Sequence, residues 1–309
     1  FLAFILIIFY YSYSKINIPH NKIVFIKPGQ TVNEIVETLR KENLINSNIL
    51  FKLLLKLTSN DKKIQHGEYS FEGKVSKLDI IAKLIGGNYY YRKIIIPECS
   101  SSKEILEIVN NNSFLKGNIS TSPLEGTVFP DTYFFQRNDD KNIVILRMQK
   151  RMNNVVASIW RNDNELLKTP EDLINLASII EAETGDDLEK YIISSVFYNR
   201  INKGMKLQSD PTILYYKNLK SKIKTRKILK KDLLSDNPWN TYTRTGLPLT
   251  PICSPGAQAL EAAMSPGKTS FLYFVADGLG GHRFSKNYKE HLLNIKLWKE
   301  KLRELNEIK

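Results

Sequence analysis

Glu181 and Glu183 close a stretch running from Thr169 that has apolar residues at helical spacing on one side. Carboxyl groups are the side chains of general acid–base chemistry, and their surroundings decide whether they hold a proton. Both glutamates fall in the last turn of this helix, where the negative end of the macrodipole opposes an anion. Leu173, Leu176, Ala177 and Ile180 form the buried stripe, and Glu181 lies at its margin, one turn below Ala177, where apolar neighbours add a desolvation cost of the same sign. Both effects are expected to raise a carboxylate pKa, as a general acid near neutral pH requires. A pair of exposed glutamates on a two-sided helix satisfies the same pattern.

Four segments downstream are dense in amide, hydroxyl and aromatic groups: MKLQSDPT at 205–212, NPWNTY at 237–242, GLPLTPI at 246–252 and SPG at 254–256. Such groups suit sugars, which are held by hydrogen bonds to hydroxyls and by stacking on ring faces, although turn formation explains the same residues. Gln208, Asp210, Thr212, Asn240 and Tyr242 are expected to line one groove with Glu181. Glu125 and His282 are further candidates.

These residues need elements to position them. Thr169 as N-cap, Pro170 at the first helical position and Glu171 and Asp172 in the first turn open the helix that carries Glu181, with Gly185 expected to end it. A second helix is expected over 186–203, closed by Gly204, then a short strand broken by the Gln-Ser-Asp-Pro-Thr turn. Near the C-terminus FLYFVAD reads as a strand, GLGG as a hairpin too short for a phosphate loop, and the segment through Trp298 as a basic amphipathic helix. Upstream, 23–41 and 93–109 each read as a strand, a proline turn, a hydroxyl cap and an amphipathic helix. The first of these, with the material up to residue 92, resembles a LysM-like glycan-binding module.

The run FLAFILIIFYYSY at 1–13 is unbroken and apolar and ends in an aromatic cluster, which reads as the outer half of a membrane-spanning helix. No small-residue cleavage site of a secretory signal follows it. The fold class expected is α+β: an N-terminal membrane anchor over 1–14, a small LysM-like α+β module over 20–92 and a larger α+β catalytic domain over 93–309.

At 309 residues, with 42% hydrophobic and 25% charged residues, the chain suits one or two globular domains and excludes collagenous, disordered and polytopic membrane classes. The formal charge of +13 is largely spread along the chain. Its one concentration, 219–231, lacks interleaved aromatics and reads as a solvated face, so no nucleic-acid partner is expected. Four histidines spread along the chain and two distant cysteines, Cys99 and Cys253, argue against a metal centre or a disulfide scaffold.

Five ordered blocks, LEGTVFPDTY (124–133), ASIIEAE (177–183), VFYNRINKGMKLQSDPT (196–212), NTYxxxGLP (240–248) and YFVADGLGGHRFS (273–285), resemble the endolytic murein transglycosylase, or YceG-like, family. The likeness runs from about residue 23 to the end. It implies cleavage of the β-1,4 bond between N-acetylmuramic acid and N-acetylglucosamine in nascent peptidoglycan strands, giving 1,6-anhydro ends and terminating elongation. It further implies Glu181 as the catalytic acid, no cofactor, contact with penicillin-binding proteins of the wall-synthesis machinery, and a single-pass place in the bacterial inner membrane with the catalytic portion in the periplasm. Where the family often carries Lys after the glutamate this chain has Ala182. One carboxylate can serve both proton transfers, while Glu183 or Asp210 as a second member would give a hydrolase. The alternatives are a non-catalytic wall-glycan binder and a pyridoxal-phosphate lyase, and no lysine here has a phosphate cup around it.

Overall fold

The structure, a computed structural model, describes residues 2–221 and 225–307, with side chains through 304; residues 222–224 of the basic stretch lie outside it. The chain is mixed helix and sheet, as the α+β expectation requires, and its contacts divide it into two units.

The first unit comprises Phe1–Ile94 with two later excursions, Asn112–Lys116 and Phe134–Asp140. In chain order it contains α1 (Leu2–Tyr13), β1 (Lys15–Ile26), α2 (Val32–Lys41), α3 (Asn48–Leu57), β2 (Gly67–Ser76) and α4 (Lys77–Ile85). β1 and β2 pair antiparallel from Lys15 opposite Ser76 to Ile26 opposite Gly67, with a register shift between Ile18 and Lys22. The inward residues Val24, Ile26, Tyr69 and Phe71 meet Val36 and Leu39 of α2, Phe51 and Leu55 of α3 and Ile80 and Leu84 of α4 in one core. Reciprocal capping boxes start α2 (Thr31 with Glu34) and α4 (Ser76 with Asp79). The apolar run read as an anchor is the twelve-residue α1. Its Ile8 and Tyr11 are buried, whereas Leu2, Phe4, Ile5, Leu6, Ile7 and Phe9 are exposed. Among the described residues no helix is long and apolar enough to cross a membrane.

β3 (Arg92–Ile95) and β4 (Thr132–Phe135) form a second two-stranded sheet. The other unit takes in Ile95–Asn111, Gly117–Tyr133 and Lys141–Lys309. Its helices are α5 (Ser102–Asn110), α6 (Lys141–Ile159), α7 (Pro170–Glu183), α8 (Asp187–Asn202), α9 (Asp210–Leu219), α10 (Lys230–Leu234), α11 (Ala257–Met264) and α12 (Tyr288–Glu307). β5 (Tyr273–Ala276) and β6 (His282–Ser285) pair across the expected Gly-rich hairpin. α7 runs through the middle of this unit: Leu173, Leu176, Ala177, Ile179 and Ile180 are all fully buried, and the helix packs on α6, α8, α9 and α11.

Two expectations need correction. The broken strand expected over 205–215 is instead irregular chain running into α9, because Pro211 in the first turn favours a helix start. α7 ends one residue earlier than expected, with Thr184 rather than Gly185 as its C-cap.

Candidate active site

α7 begins as its sequence dictates, with Pro170 in the first turn and the Thr169 hydroxyl and Asp172 carboxylate capping each other's backbone N–H groups. Its polar residues have a purpose that spacing alone did not reveal. Asn175, Ser178 and Glu181 recur every three residues on a buried helix, and each fastens the same loop by its backbone. Asn175 Nδ2 donates to Pro248 O at 2.7 Å, Ser178 Oγ accepts from Ile252 N at 3.0 Å, and Glu181 Oε2 accepts from Gly256 N at 2.9 Å. The loop 248–256 is thereby laid along α7, and its last rung is a carboxylate.

The other oxygen of Glu181, Oε1, lies 2.9 Å from Lys190 Nζ. Both side chains are buried, at 3% exposure for Glu181 and 1% for Lys190. Lys190 also reaches Asp187 Oδ1 at 2.9 Å and stands 4.0 Å from Glu98 Oε2. Burial pulls the Lys190 ammonium down, but its bonds to Asp187 and Glu181 outweigh this and hold it above its ordinary value. The expected surroundings of Glu181 are thus corrected: the apolar margin of the stripe is present, but an ammonium and a backbone N–H occupy the carboxylate. That ammonium comes from Lys190 on the neighbouring helix. Only Thr184, Gly185 and Asp186 separate α7 from α8, so the first turn of α8 returns beside the last turn of α7.

A Cβ at Gly256 would overlap the Glu98 carboxyl, which would have to swing aside, and would come within 3.3 Å of Glu181 Oε2. The segments carrying Glu98 and Gly256 are tied together. Cys99 and Cys253, set aside in the sequence as distant, form a disulfide across a separation of 154 residues. Cys99 N donates to Ser254 O and Ser254 N to Ser100 O, each at 2.9 Å.

Glu183 heads a second cluster. It accepts a 2.5 Å hydrogen bond from Ser209 Oγ, so the N-cap residue of α9 spends its hydroxyl on Glu183 and makes no side-chain cap. Burial pushes the Glu183 carboxyl up to about 7, aided by Asp210, while Ser209 and Arg200 pull the other way. Of the five loop residues expected in one groove with Glu181, Gln208, Asp210, Thr212 and Tyr242 gather around this cluster, while Asn240 is bonded within its own loop. Gln208, at φ +53°, accepts from Arg200 Nη1 at 3.3 Å, and Asp210 Oδ1 accepts from the Tyr242 hydroxyl at 2.5 Å. Thr212 is fully buried, donating to Ser209 O and bonded to Thr241 Oγ1. Asn240 is 1% exposed; its amide donates to Leu233 O and Ser235 O, and its carbonyl accepts from Tyr242 N and Thr243 N. Thr212 and Asn240 therefore shape the loops that present Asp210 and Tyr242.

The two further candidates are held separately. Glu125 Oε1 accepts from Ser102 N at the start of α5 and Oε2 from the Tyr215 hydroxyl, and it lines a cavity of about 210 Å³ with Glu104, Glu107 and Asn218. Burial pushes its carboxyl to about 7 against those two bonds. Its neighbour Gly126 has φ +75° and meets Pro251 and Ile174, contacts that no side chain fits. His282 is clasped by Glu189, which accepts from His282 N at 2.8 Å and sits 2.7 Å from its Nδ1, and Thr184 Oγ1 donates to the same carboxylate. Lys190, Glu189, Asp187, Glu98, Gly256 and the disulfide were not foreseen from the sequence. The polar spacing 175, 178, 181 and the short connection between α7 and α8 were the available signals.

The site thus sits in a helix-rich α+β unit with a buried, ion-paired glutamate at the end of its central helix. The YceG-like family profile matches residues 24–297, and the chain belongs to that family. The endolytic murein transglycosylase of Bacillus subtilis is 33% identical over 86% of this chain and 81% of its own length. The Streptococcus pneumoniae D39 enzyme of the same name is 26% identical over 88% of this chain, which spans 57% of that relative's length. A crystal structure of a YceG-like protein from Listeria monocytogenes aligns with a TM-score of 0.53 at 28% identity, covering 89% of this chain and 99% of that one.

Proposed function

We propose that this chain is an endolytic peptidoglycan lytic transglycosylase in which Glu181 is the catalytic carboxyl. The observation that carries the reading is the placement of Glu181: of the two carboxyl groups in the last turn of a buried helix, it is the one fixed by an ammonium, Lys190, and a backbone N–H, Gly256, in a family whose curated relatives bear this activity in their names. The chemistry moves one proton. As the glycosidic bond between N-acetylmuramic acid and N-acetylglucosamine breaks, the leaving oxygen takes a proton, and the muramoyl 6-hydroxyl loses one as its oxygen closes onto the anomeric carbon. The proton given equals the proton taken, so no water is consumed and a 1,6-anhydro end results. Gln208, Asp210 and Tyr242 would contact the sugar, on loops shaped by Thr212 and Asn240, with Glu125 and His282 as outlying contacts.

The exposed apolar face of α1 supports an N-terminal membrane anchor in the inner membrane, the catalytic unit lying in the periplasm beside penicillin-binding proteins where new strands emerge. The first unit, two helices connecting a pair of strands, would serve as a LysM-like glycan-binding module.

Mass analysis of products from purified sacculi tests the activity. Anhydro-muramoyl ends are expected; free reducing ends would make the chain a hydrolase, and no products would leave it a wall-binding protein.

A further inference from the structure

Glu181 is bonded through both oxygens and 3% exposed, while Glu98 beside it is 54% exposed and, unlike Asp187, is not taken up by a hydrogen bond to Lys190. The two converge on one point from opposite segments: Glu98 Oε1 and Glu181 Oε2 both close on the position a Gly256 side chain would take. They also share one counterion, Lys190, at 4.0 Å and 2.9 Å. We infer that Glu98 is a second carboxyl of the active site, donating the proton to the leaving oxygen while Glu181 receives the proton of the 6-hydroxyl.

This inference rests on the transglycosylase reading and divides its proton transfers between two groups. The bond from the anomeric carbon to the leaving oxygen breaks with its electron pair going to that oxygen, which takes the Glu98 proton. The muramoyl 6-oxygen forms the new bond to the anomeric carbon and gives its proton to Glu181. Glu98 is then ionised and Glu181 protonated. Exchange with solvent restores the starting state, the open Glu98 carboxylate taking up one proton and Glu181 releasing one as the product leaves.

The charged groups facing Glu98 are Glu181 on α7 and Lys190 and Asp187 on α8. Burial first, then the charges of Glu181 and Asp187, hold the Glu98 carboxyl above its ordinary range, against the pull of Lys190. The arrangement is built, since the disulfide and the paired backbone bonds between Cys99 and Ser254 and between Ser254 and Ser100 fix Glu98 against Gly256.

Glu98→Gln in the full chain tests the assignment on purified sacculi, with thermal unfolding to verify the fold. The expected result is a loss of about 10²-fold or more in kcat with KM little changed, together with disappearance of the basic limb of the pH–rate profile, which reports the group that must stay protonated. Glu98→Asp, which keeps an acid on a shorter side chain, should keep that limb at an intermediate rate. A Glu98→Gln variant with the rate and both limbs of the unaltered chain overturns the inference alone. Absence of anhydro ends from the unaltered chain overturns the transglycosylase reading and the inference with it.

Discussion

Lys190 Nζ and Glu181 Oε1 lie 2.9 Å apart with both side chains out of solvent, an ion pair closed between two consecutive helices. A buried pair of this kind is finely balanced when intact, but removing one partner strands the other charge, at a cost of about 3–5 kcal/mol. Lys190→Met should therefore lower the thermal midpoint markedly and abolish activity. An unchanged midpoint would mean that the pair is not formed in solution.

Glu181→Gln keeps the side-chain volume and removes the exchangeable proton. Activity on sacculi should fall about 10²–10⁴-fold with the far-UV circular dichroism unchanged. Residual activity above a few per cent would remove Glu181 from the mechanism. Glu183→Gln should be much milder.

Glu183 predicts a pH signature of its own. Its carboxyl is raised to about 7 in the fold, so between its unfolded value near 4.5 and about 7 the folded state binds the extra proton. Stability contributed by this group falls as pH rises through that window, by on the order of 3 kcal/mol. Glu183→Gln should accordingly raise the thermal midpoint relative to the unaltered chain at pH 8 and leave it nearly unchanged at pH 4. Equal effects at both pH values would contradict the burial of this carboxyl.

The Cys99–Cys253 disulfide joins residues 154 positions apart, and losing a native disulfide commonly costs about 2–5 kcal/mol. The double substitution of both cysteines by serine should lower both stability and activity, because Glu98 and Gly256 flank the bridge. Thiol titration of the denatured chain that finds two free thiols before reduction would show that the bridge does not form.

The exposed side of α1 should bind lipid. Phe4, Leu6 and Phe9 are exposed while Ile8 and Tyr11 are buried, so replacing the three exposed residues by serine should abolish co-flotation with vesicles of phosphatidylglycerol and phosphatidylethanolamine without unfolding the chain. Flotation that survives the triple change would place membrane affinity elsewhere.

Local chemistry was legible, and contact between distant segments was not. The start of α7 was readable because Thr169, Pro170 and Asp172 act within one turn, and the β5–β6 hairpin because its glycines fix a tight reversal. The start of α9 was open to two readings, since Ser209, Asp210 and Pro211 suit a turn as well as a helix start, and the Ser209 hydroxyl is held by Glu183 and not by the helix. Glu181 stood out by its helix, but its partners arrive from Lys190 on the next helix and from Gly256, 75 residues on. Glu98 could not be linked to it by spacing at all, since a disulfide and two backbone hydrogen bonds bring it there.

The backbone N–H that holds Glu181 belongs to Gly256, and the sulfur that anchors Glu98 belongs to Cys253. During synthesis these arrive late, after α7 and α8 have already left the ribosome. A nascent or prematurely terminated chain that stops before residue 253 therefore carries the glutamate and Lys190 without the Gly256 N–H and the disulfide. For an enzyme that cuts the cell's own wall, the site is thus completed only near the end of synthesis. A chain ending at residue 250 should be inert on sacculi even if its first unit folds.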